Sequence, residues 1–276
     1  MAWLTGYGYR KKITLTEQSS TALSDYVVEL DVTHVTDHME ADFADLRFTS
    51  DDETTELNYW IESQTASTTA KVFVEVPSIA SSSTEDIYVY YGNDAVSTTS
   101  DIDGVSVDTT SGSTFSFAEN VSGKTGVQLT TNQKIRIFSL EQTGSSSATI
   151  AYILNSGQSV LATSATIASS IGYFSGSYIL ADSTTYFFAF DNGGSTYSKY
   201  QDNTTSYPYA RTPFNFISYL NHDGATGTIV FMQLENAKSA VVAGTVPTDS
   251  FGAEEAGSTD LEPIKVFDVR FGWWKL

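Results

Sequence analysis

The densest chemistry in the sequence lies in DLRFTSDDETTELNYWIES, residues 45–63. This stretch gathers six carboxylates (Asp45, Asp51, Asp52, Glu53, Glu56, Glu62), one cation, Arg47, and the pair Tyr59-Trp60. Acids beside aromatics suit a sugar-cleaving cleft. Glycoside hydrolysis, however, needs two carboxyls flanking the bond, one of them kept protonated by burial near its partner. Here Asp51-Asp52-Glu53 falls between two alternating runs and is followed by Thr54-Thr55, which reads as a solvated turn whose acids keep ordinary pKa values. In the run before it, Asp45 and Arg47 share a strand face and are placed to pair, while Leu46 and Phe48 face the core. In the run after it, Leu57, Tyr59 and Ile61 share one face and Asn58, Trp60 and Glu62 the other. The stretch is therefore expected to form two strands and a turn, with Trp60 a candidate contact for a glycan or a partner.

Metal chemistry has thin support. His34 and His38 are four apart in HVTDHME and would share a helix face, but a zinc-protease motif needs Glu directly after the first His, and Val35 stands there. A polar surface helix or loop is the expectation. Asp101-Ile102-Asp103-Gly104 resembles the opening of a calcium loop without its further oxygen ligands or closing Glu. Asp101, Asp103 and Asp191 are weak Ca2+ candidates, with ordinary turn chemistry as the alternative. His222 has Asp223 beside it but no serine-nucleophile motif, and no GxSxG, P-loop or GxGxxG is present. No catalytic residue is expected, and no cofactor beyond that candidate Ca2+. Asn120-Val-Ser and Asn203-Thr-Thr match the glycosylation acceptor pattern, which arises readily by chance in Ser/Thr-rich chains.

Aromatic residues crowd the second half. Exposed tyrosines with polar loop ends suit sugar stacking or protein contact. In SYPYARTPF, residues 206–214, the candidates are Tyr207, Tyr209 and Arg211. Packing of this loop against its own domain is the competing reading.

The elements that must position these residues are strands. Period-two alternation marks 10–16, 26–32, 57–62, 71–76 and 86–91, and VFVEVP puts Val72, Val74 and Val76 on one face with Phe73 and Glu75 on the other. Residues 33–46 could hold one short helix. After a polar linker come further runs at 113–117, 125–129, 134–140, 148–154, 173–180, 185–190, 214–219 and 228–234, spaced as in a β-sandwich or jelly roll. DNGGS, residues 191–195, reads as a hairpin turn. From Ala240 to Asp260 the chain is Gly-, Ala- and acid-rich and reads as a linker. PIKVFDVRFGWWKL (263–276) then alternates as one more strand. An isolated strand cannot satisfy its own backbone, so Val266, Phe267, Val269, Phe271, Trp273 and Trp274 are expected to complete a sheet in this chain or a neighbouring copy.

The fold class is thus all-β: two tandem β-sandwich or jelly-roll domains with a C-terminal extension strand. The expected divisions are a scaffold domain at 1–93, a linker at 94–112, a jelly-roll-like domain at 113–238, and a linker with the last strand at 239–276.

Composition narrows the function. The chain has 276 residues, a net charge of −19 and no cysteine. Nucleic acid is a poor partner for such a surface, and the one basic cluster, Arg10-Lys11-Lys12, is split across two strand faces. Disulfides and Cys-based zinc sites are excluded. No apolar run approaches a membrane helix, so no membrane insertion is expected. The first residues lack the apolar core of a signal peptide, although the Ser/Thr/Gly/Tyr-rich composition reads like an outer-surface protein.

The first ninety-odd residues resemble a known family. Its carriers here are Trp3, YRKKITLT (9–16), YVVELDV (26–32), ADLRFTSDD (44–52), LNYWIES (57–63), KVFVEVPSI (71–79) and IYVYYGN (87–93). In order and spacing these look like a small β domain of unknown function found in archaeal and bacterial surface proteins and some virus proteins. That family brings no established catalytic residues. TIAYILNSGQSVLATSATI, LADSTTYFFAFDNGGSTYSKY and SYPYARTPFNFIS resemble the jelly-roll modules of phage and virus tail or surface proteins. The resemblance implies a non-enzymatic virion structural protein of a tailed virus: a capsid decoration, turret or tail component that contributes to host attachment. Its partners would be other virion proteins, copies of itself and a host surface glycan. The alternative is a cellular surface carbohydrate-binding or adhesion module in an extracellular setting, and a glycoside hydrolase ranks last.

Overall fold

The structure is a computed structural model and describes residues 3–108, 115–116, 120–121, 124–143, 149–167, 171–191, 209–211, 214–218, 233–242 and 245–257. Their regular structure is almost wholly strand, arranged in four antiparallel sheets. The first seven strands are β1 (Tyr9–Thr16), β2 (Leu23–Thr33), β3 (Arg47–Thr49), β4 (Glu56–Leu57), β5 (Tyr59–Thr65), β6 (Thr69–Ile79) and β7 (Thr84–Tyr91). Short strands β8 (Val107–Asp108), β9 (Phe115–Ser116) and β10 (Asn120–Val121) follow. Then come β11 (Lys124–Thr131), β12 (Ile135–Thr143), β13 (Ala151–Asn155), β14 (Val160–Thr163), β15 (Ile171–Leu180), β16 (Thr185–Asp191), β17 (Tyr209–Arg211), β18 (Phe214–Ser218), β19 (Gln233–Val241) and β20 (Thr248–Ala256).

Two sheets face each other in the first pair, ordered β20-β1-β7-β3-β4 and β2-β6-β5. Their alternate residues fill one core: Ile13, Leu15, Val28, Leu30, Phe48, Val72, Val74, Val76, Ile87 and Val89 are all buried in it. The second pair is ordered β14-β13-β16-β11-β18-β17, with β10 added on β11, and β15-β12-β19-β8, with β9 on β19. Its core holds Leu129, Ile135, Ile137, Leu140, Ile153, Phe174, Phe188 and Phe190. Each sheet thus buries the side its alternation marks as apolar, the usual logic of a sandwich.

Three expectations need correction. Residues 33–46 hold no helix. They run through turns in which Asp37 and Phe43 take left-handed φ of 67° and 58°, which a right-handed helix cannot include. The run 57–62 is not one strand either. It breaks at Asn58, so β4 stays in the first sheet while β5 joins β6, and the Asn58 carbonyl accepts from the Glu75 amide (3.0 Å) at the corner.

The third correction concerns the linkers. Within 94–108 the backbone is pinned to the first sheet pair. The Ser97 carbonyl accepts from Arg47 (2.7 Å), Ser100 Oγ accepts from the Ile61 amide (2.7 Å), and the Asp101 amide donates to the Tyr59 carbonyl (2.9 Å). In the acid-rich tail, residues 248–256 form β20, paired with β1 from Thr16↔Thr248 to Tyr9↔Ala256. The chain therefore leaves the first sheet pair after β7, builds the second pair, and returns to close the first.

Candidate functional site

The opening stretch folds as two strands and a turn. Phe48 pairs with Leu57 and Thr49 with Glu56, and the Ser50 amide donates to the Thr55 carbonyl (2.9 Å) across the turn. One of the turn acids, Asp52, is not ordinary. Asp52 accepts from the amides of Thr55 (2.7 Å) and Thr54 (2.8 Å) and from the Thr55 hydroxyl (2.5 Å), and these bonds hold its carboxyl well below the usual carboxylate range. Asp45 and Arg47 do not pair with each other, because each is taken up elsewhere. Asp45, fully buried, accepts from the amides of Gly92 (2.6 Å) and Glu40 (3.1 Å). Arg47 donates to the carbonyls of Leu46 (2.6 Å) and Ser97 (2.7 Å) and lies 3.7 Å from Glu56.

Two clusters stand out, and both bind strands together. The first is a clasp between β1, β7 and β20. Register sets Arg10 beside Tyr90 and Glu255 on the outer face of the sheet, and Lys11 beside Glu254 on the inner face. On the outer face Arg10, 1% exposed, donates to Glu255 (2.8 Å) and the Tyr90 hydroxyl (2.9 Å) and pairs with Glu53 (3.2 Å). Its guanidinium lies 4.6 Å from the Trp3 ring centre and 4.5 Å from that of Tyr88, a geometry in which the ring faces attract the cation. Burial works against the charge, but the bonds to Tyr90, Glu255 and Glu53 outweigh it and leave Arg10 above the ordinary arginine value.

On the inner face Glu254 joins Tyr91 and His38. The Tyr91 hydroxyl donates to it at 2.6 Å, His38 Nδ1 lies 2.9 Å away, and the His38 ring stacks on Tyr9 with centres 3.7 Å apart. Burial, with Glu254 beside it, pushes Tyr91 far up. Burial also pushes against ionised Glu254, but the bonds from Tyr91 and His38 prevail and hold it down. A general acid or base needs a pKa near the working pH. Both shifts run the other way, so the cluster is suited to holding β20 rather than to moving protons.

The second cluster is a seam between the sheet pairs. Phe73, on the outer side of β6, packs against Phe138 of β12 (ring centres 5.0 Å apart), and Trp60 joins both at 5.8 and 5.4 Å. Val27, Val105 and Ala240 are buried with them. Arg136, 4% exposed, lies 4.9 Å from the Phe73 ring and donates to Glu29 (2.7 Å), which also pairs with Lys71 (2.5 Å). Burial lowers Arg136 below the ordinary value, and Glu29 offsets only part of that.

The residues singled out from sequence do not converge. Trp60 is half-buried and packs into the seam against Phe73 and Phe138. His34 meets the Met39 carbonyl (3.1 Å) while His38 faces Glu254, and the two share no ligand geometry. Asp101 caps the short 3-10 turn Ile102–Gly104 by accepting from the Asp103 amide (2.9 Å), and Asp103 pairs with Lys238. Asp191 accepts from the Thr149 amide and hydroxyl (2.6 and 2.7 Å). Among the described residues no group of three or more His, Asp or Glu is placed to hold a metal ion. Tyr209 and Arg211 lie in β17, paired with Phe216 and Phe214. Tyr207, His222, Asn203, most of the runs 191–195 and 228–234, and Val266, Phe267, Val269, Phe271, Trp273 and Trp274 lie outside the described residues.

The clasp was not read from sequence, although one signal was there. Glu254 and Glu255 are adjacent, so a strand would send them to opposite faces, each needing a partner.

No helix among the described residues is long and apolar enough to cross a membrane. No curated protein and no solved structure matches the chain. Residues 42–133 match the model of a domain of unknown function, DUF2341. The match shares 42–93 with the resemblance read from sequence, omits β1 and β2, and runs on through 94–108 into β11. This chain therefore carries, at residues 42–133, a small β domain of unknown function.

Proposed function

We propose that the chain is a non-enzymatic structural protein of a virus particle: a capsid decoration, turret or tail component that contacts other particle proteins and copies of itself. The observation that carries the structural role is how the paired charges are used. Arg10, Arg136, Glu254 and Glu255 each tie one strand or sheet pair to another, and the pKa values of Tyr91 and Glu254 at the clasp shift away from neutral pH. The particle setting rests on the resemblance of the strand sequence to domains of surface and virus proteins. Mass spectrometry of purified particles is the test. The intact chain is expected at stoichiometric abundance. Recovery only as free monomer, with particles lacking it, overturns the reading.

A second reading, a cellular carbohydrate-binding or adhesion module, is favoured by one feature. Val160 and Leu161 on β14 and Tyr173 on β15 are exposed at 48, 37 and 39%. An exposed aromatic ring suits sugar stacking. A glycan array with the Tyr173→Ala variant separates the readings: Tyr173-dependent binding supports the second, and no binding removes it.

A further inference from the structure

A strand at the end of a sheet leaves one row of backbone donors and acceptors unpaired, and charged side chains on such a strand commonly keep other strands away. The four sheet orders end in β20 and β4, β2 and β5, β14 and β17, and β15 and β8. Six of these strands carry at least one charged residue, but β14 and β15 carry none. From Gln142 to Ala181 there is no Asp, Glu, Lys, Arg or His at all, in a chain of net −19.

The two uncharged edges lie together. The Ala165 amide, just past β14, donates to the Tyr173 carbonyl of β15 (2.8 Å), and Gly172 permits the approach, since a Cβ there would meet Ser164 Oγ at 2.8 Å. The same corner gathers exposed apolar surface. The large apolar side chains left exposed among the described residues are Val160, Leu161, Tyr173 and Val246, and the first three lie on β14 and β15. One side of β14 pairs with β13, with Leu161 the extra residue of a bulge, and among the described residues no strand pairs with its other side.

The charge of the chain selects the occupant. A surface of net −19 repels its own copy over most of its extent. At β14 two copies meet without like charges opposite each other, and antiparallel pairing about a two-fold axis sets the apolar residues of one against those of the other. A cationic strand of a different protein would gain from acids at the edge, and β14 offers none.

We propose that β14 is a self-association edge. Two copies pair β14 with β14 antiparallel, so that the sheet β14-β13-β16-β11-β18-β17 continues into its neighbour and Val160 and Leu161 are covered at the contact. The strand is four residues long, so the contact falls below the about 1,200 Å² of a stable interface and the dimer is weak and reversible. The proposal does not need the particle reading, because the contact forms between free chains.

Sedimentation velocity on the full chain, from about 10 μM to about 1 mM, where weak complexes populate, is expected to show a reversible monomer–dimer equilibrium. Leu161→Lys is expected to raise the dissociation constant at least about ten-fold, whereas Val246→Lys, at an equally exposed residue away from the edge (both 37%), should leave it within about two-fold. A second arm keeps the edge uncharged. The chain has no cysteine, so a single engineered thiol reports alone. Leu161→Cys is expected to form a disulfide between molecules at least about ten-fold faster than Val246→Cys, because pairing holds two thiols within bonding reach. A monomer at every concentration, a dimer that Leu161→Lys does not weaken, or equal disulfide rates overturns the proposal. A chain that stays monomeric yet binds glycan through Tyr173 overturns it in favour of the adhesion reading.

Discussion

Two arginines, each almost wholly buried and each lying against an aromatic ring, shift in opposite directions. Arg10 in the clasp rises, while Arg136 in the seam falls. The difference lies in their partners. Arg10 has Glu255, Glu53 and the Tyr90 hydroxyl around its guanidinium, whereas Arg136 relies chiefly on Glu29. Desolvation opposes the charge at both; at Arg136, set deeper among protein atoms, it outweighs Glu29, whereas at Arg10 three acceptors outweigh it. It follows that the clasp is redundant and the seam is not. The seam adds buried apolar contact among Phe73, Phe138 and Trp60.

The comparison breaks most sharply at the apolar centre of the seam. Phe138→Ala removes a fully buried ring and is expected to destabilise by about 3–5 kcal/mol, read from denaturant midpoints. A loss under about 1 kcal/mol would show that the seam is incidental. Glu29→Gln comes next. It leaves Arg136 buried without its carboxylate and is expected to cost about 3 kcal/mol. The matching change in the clasp, Glu255→Gln, should cost only about 1 kcal/mol, because Glu255 is half-exposed and Glu53 and Tyr90 remain on Arg10. If the two carboxamides cost the same, the redundancy argument fails.

Acid sharpens the contrast further. Glu254 is held below the ordinary carboxylate value, so its stabilisation is present above about pH 4.3 and lost as pH falls through its lowered folded-state value. Urea titrations of the native protein and Glu254→Gln should therefore converge on acidification, the gap between them shrinking by about 1 kcal/mol from pH 7 to pH 3. Glu17, pushed down to about 2 chiefly by the Ser19 hydroxyl, keeps its own contribution to lower pH. The smallest effect belongs to Trp3→Leu. It removes a ring from Arg10 and should lower stability by about 0.5–1 kcal/mol, visible as a small drop in Tm.

What could be read from sequence follows the same division. Alternation located most of the long strands, though not β19 beyond Leu234, and put Val72, Val74 and Val76 on one face, because a core that close by imposes its period directly. It also put Trp60 on the opposite face from Tyr59. What covers that face was not legible, since Phe138 lies 78 positions away and belongs to another sheet. β20 has the sequence of a linker because TDSFGAEEA holds one large apolar residue, Phe251. Its attachments are polar bonds to residues 163–245 positions away, which leave no local pattern. The 33–46 segment failed for the opposite reason: its spacing allowed a helix, but Phe43 enters the core in a left-handed conformation.

The route of the chain has a mechanical consequence. β7 leaves the first sheet at Tyr91, opposite Tyr9, and β20 enters it at Thr248, opposite Thr16. These are the two ends of β1. A pull on the second sheet pair would therefore reach the first at both ends of one strand and from both of its sides. Such a load drags two hydrogen-bonded ladders lengthwise at once instead of peeling one open from its end.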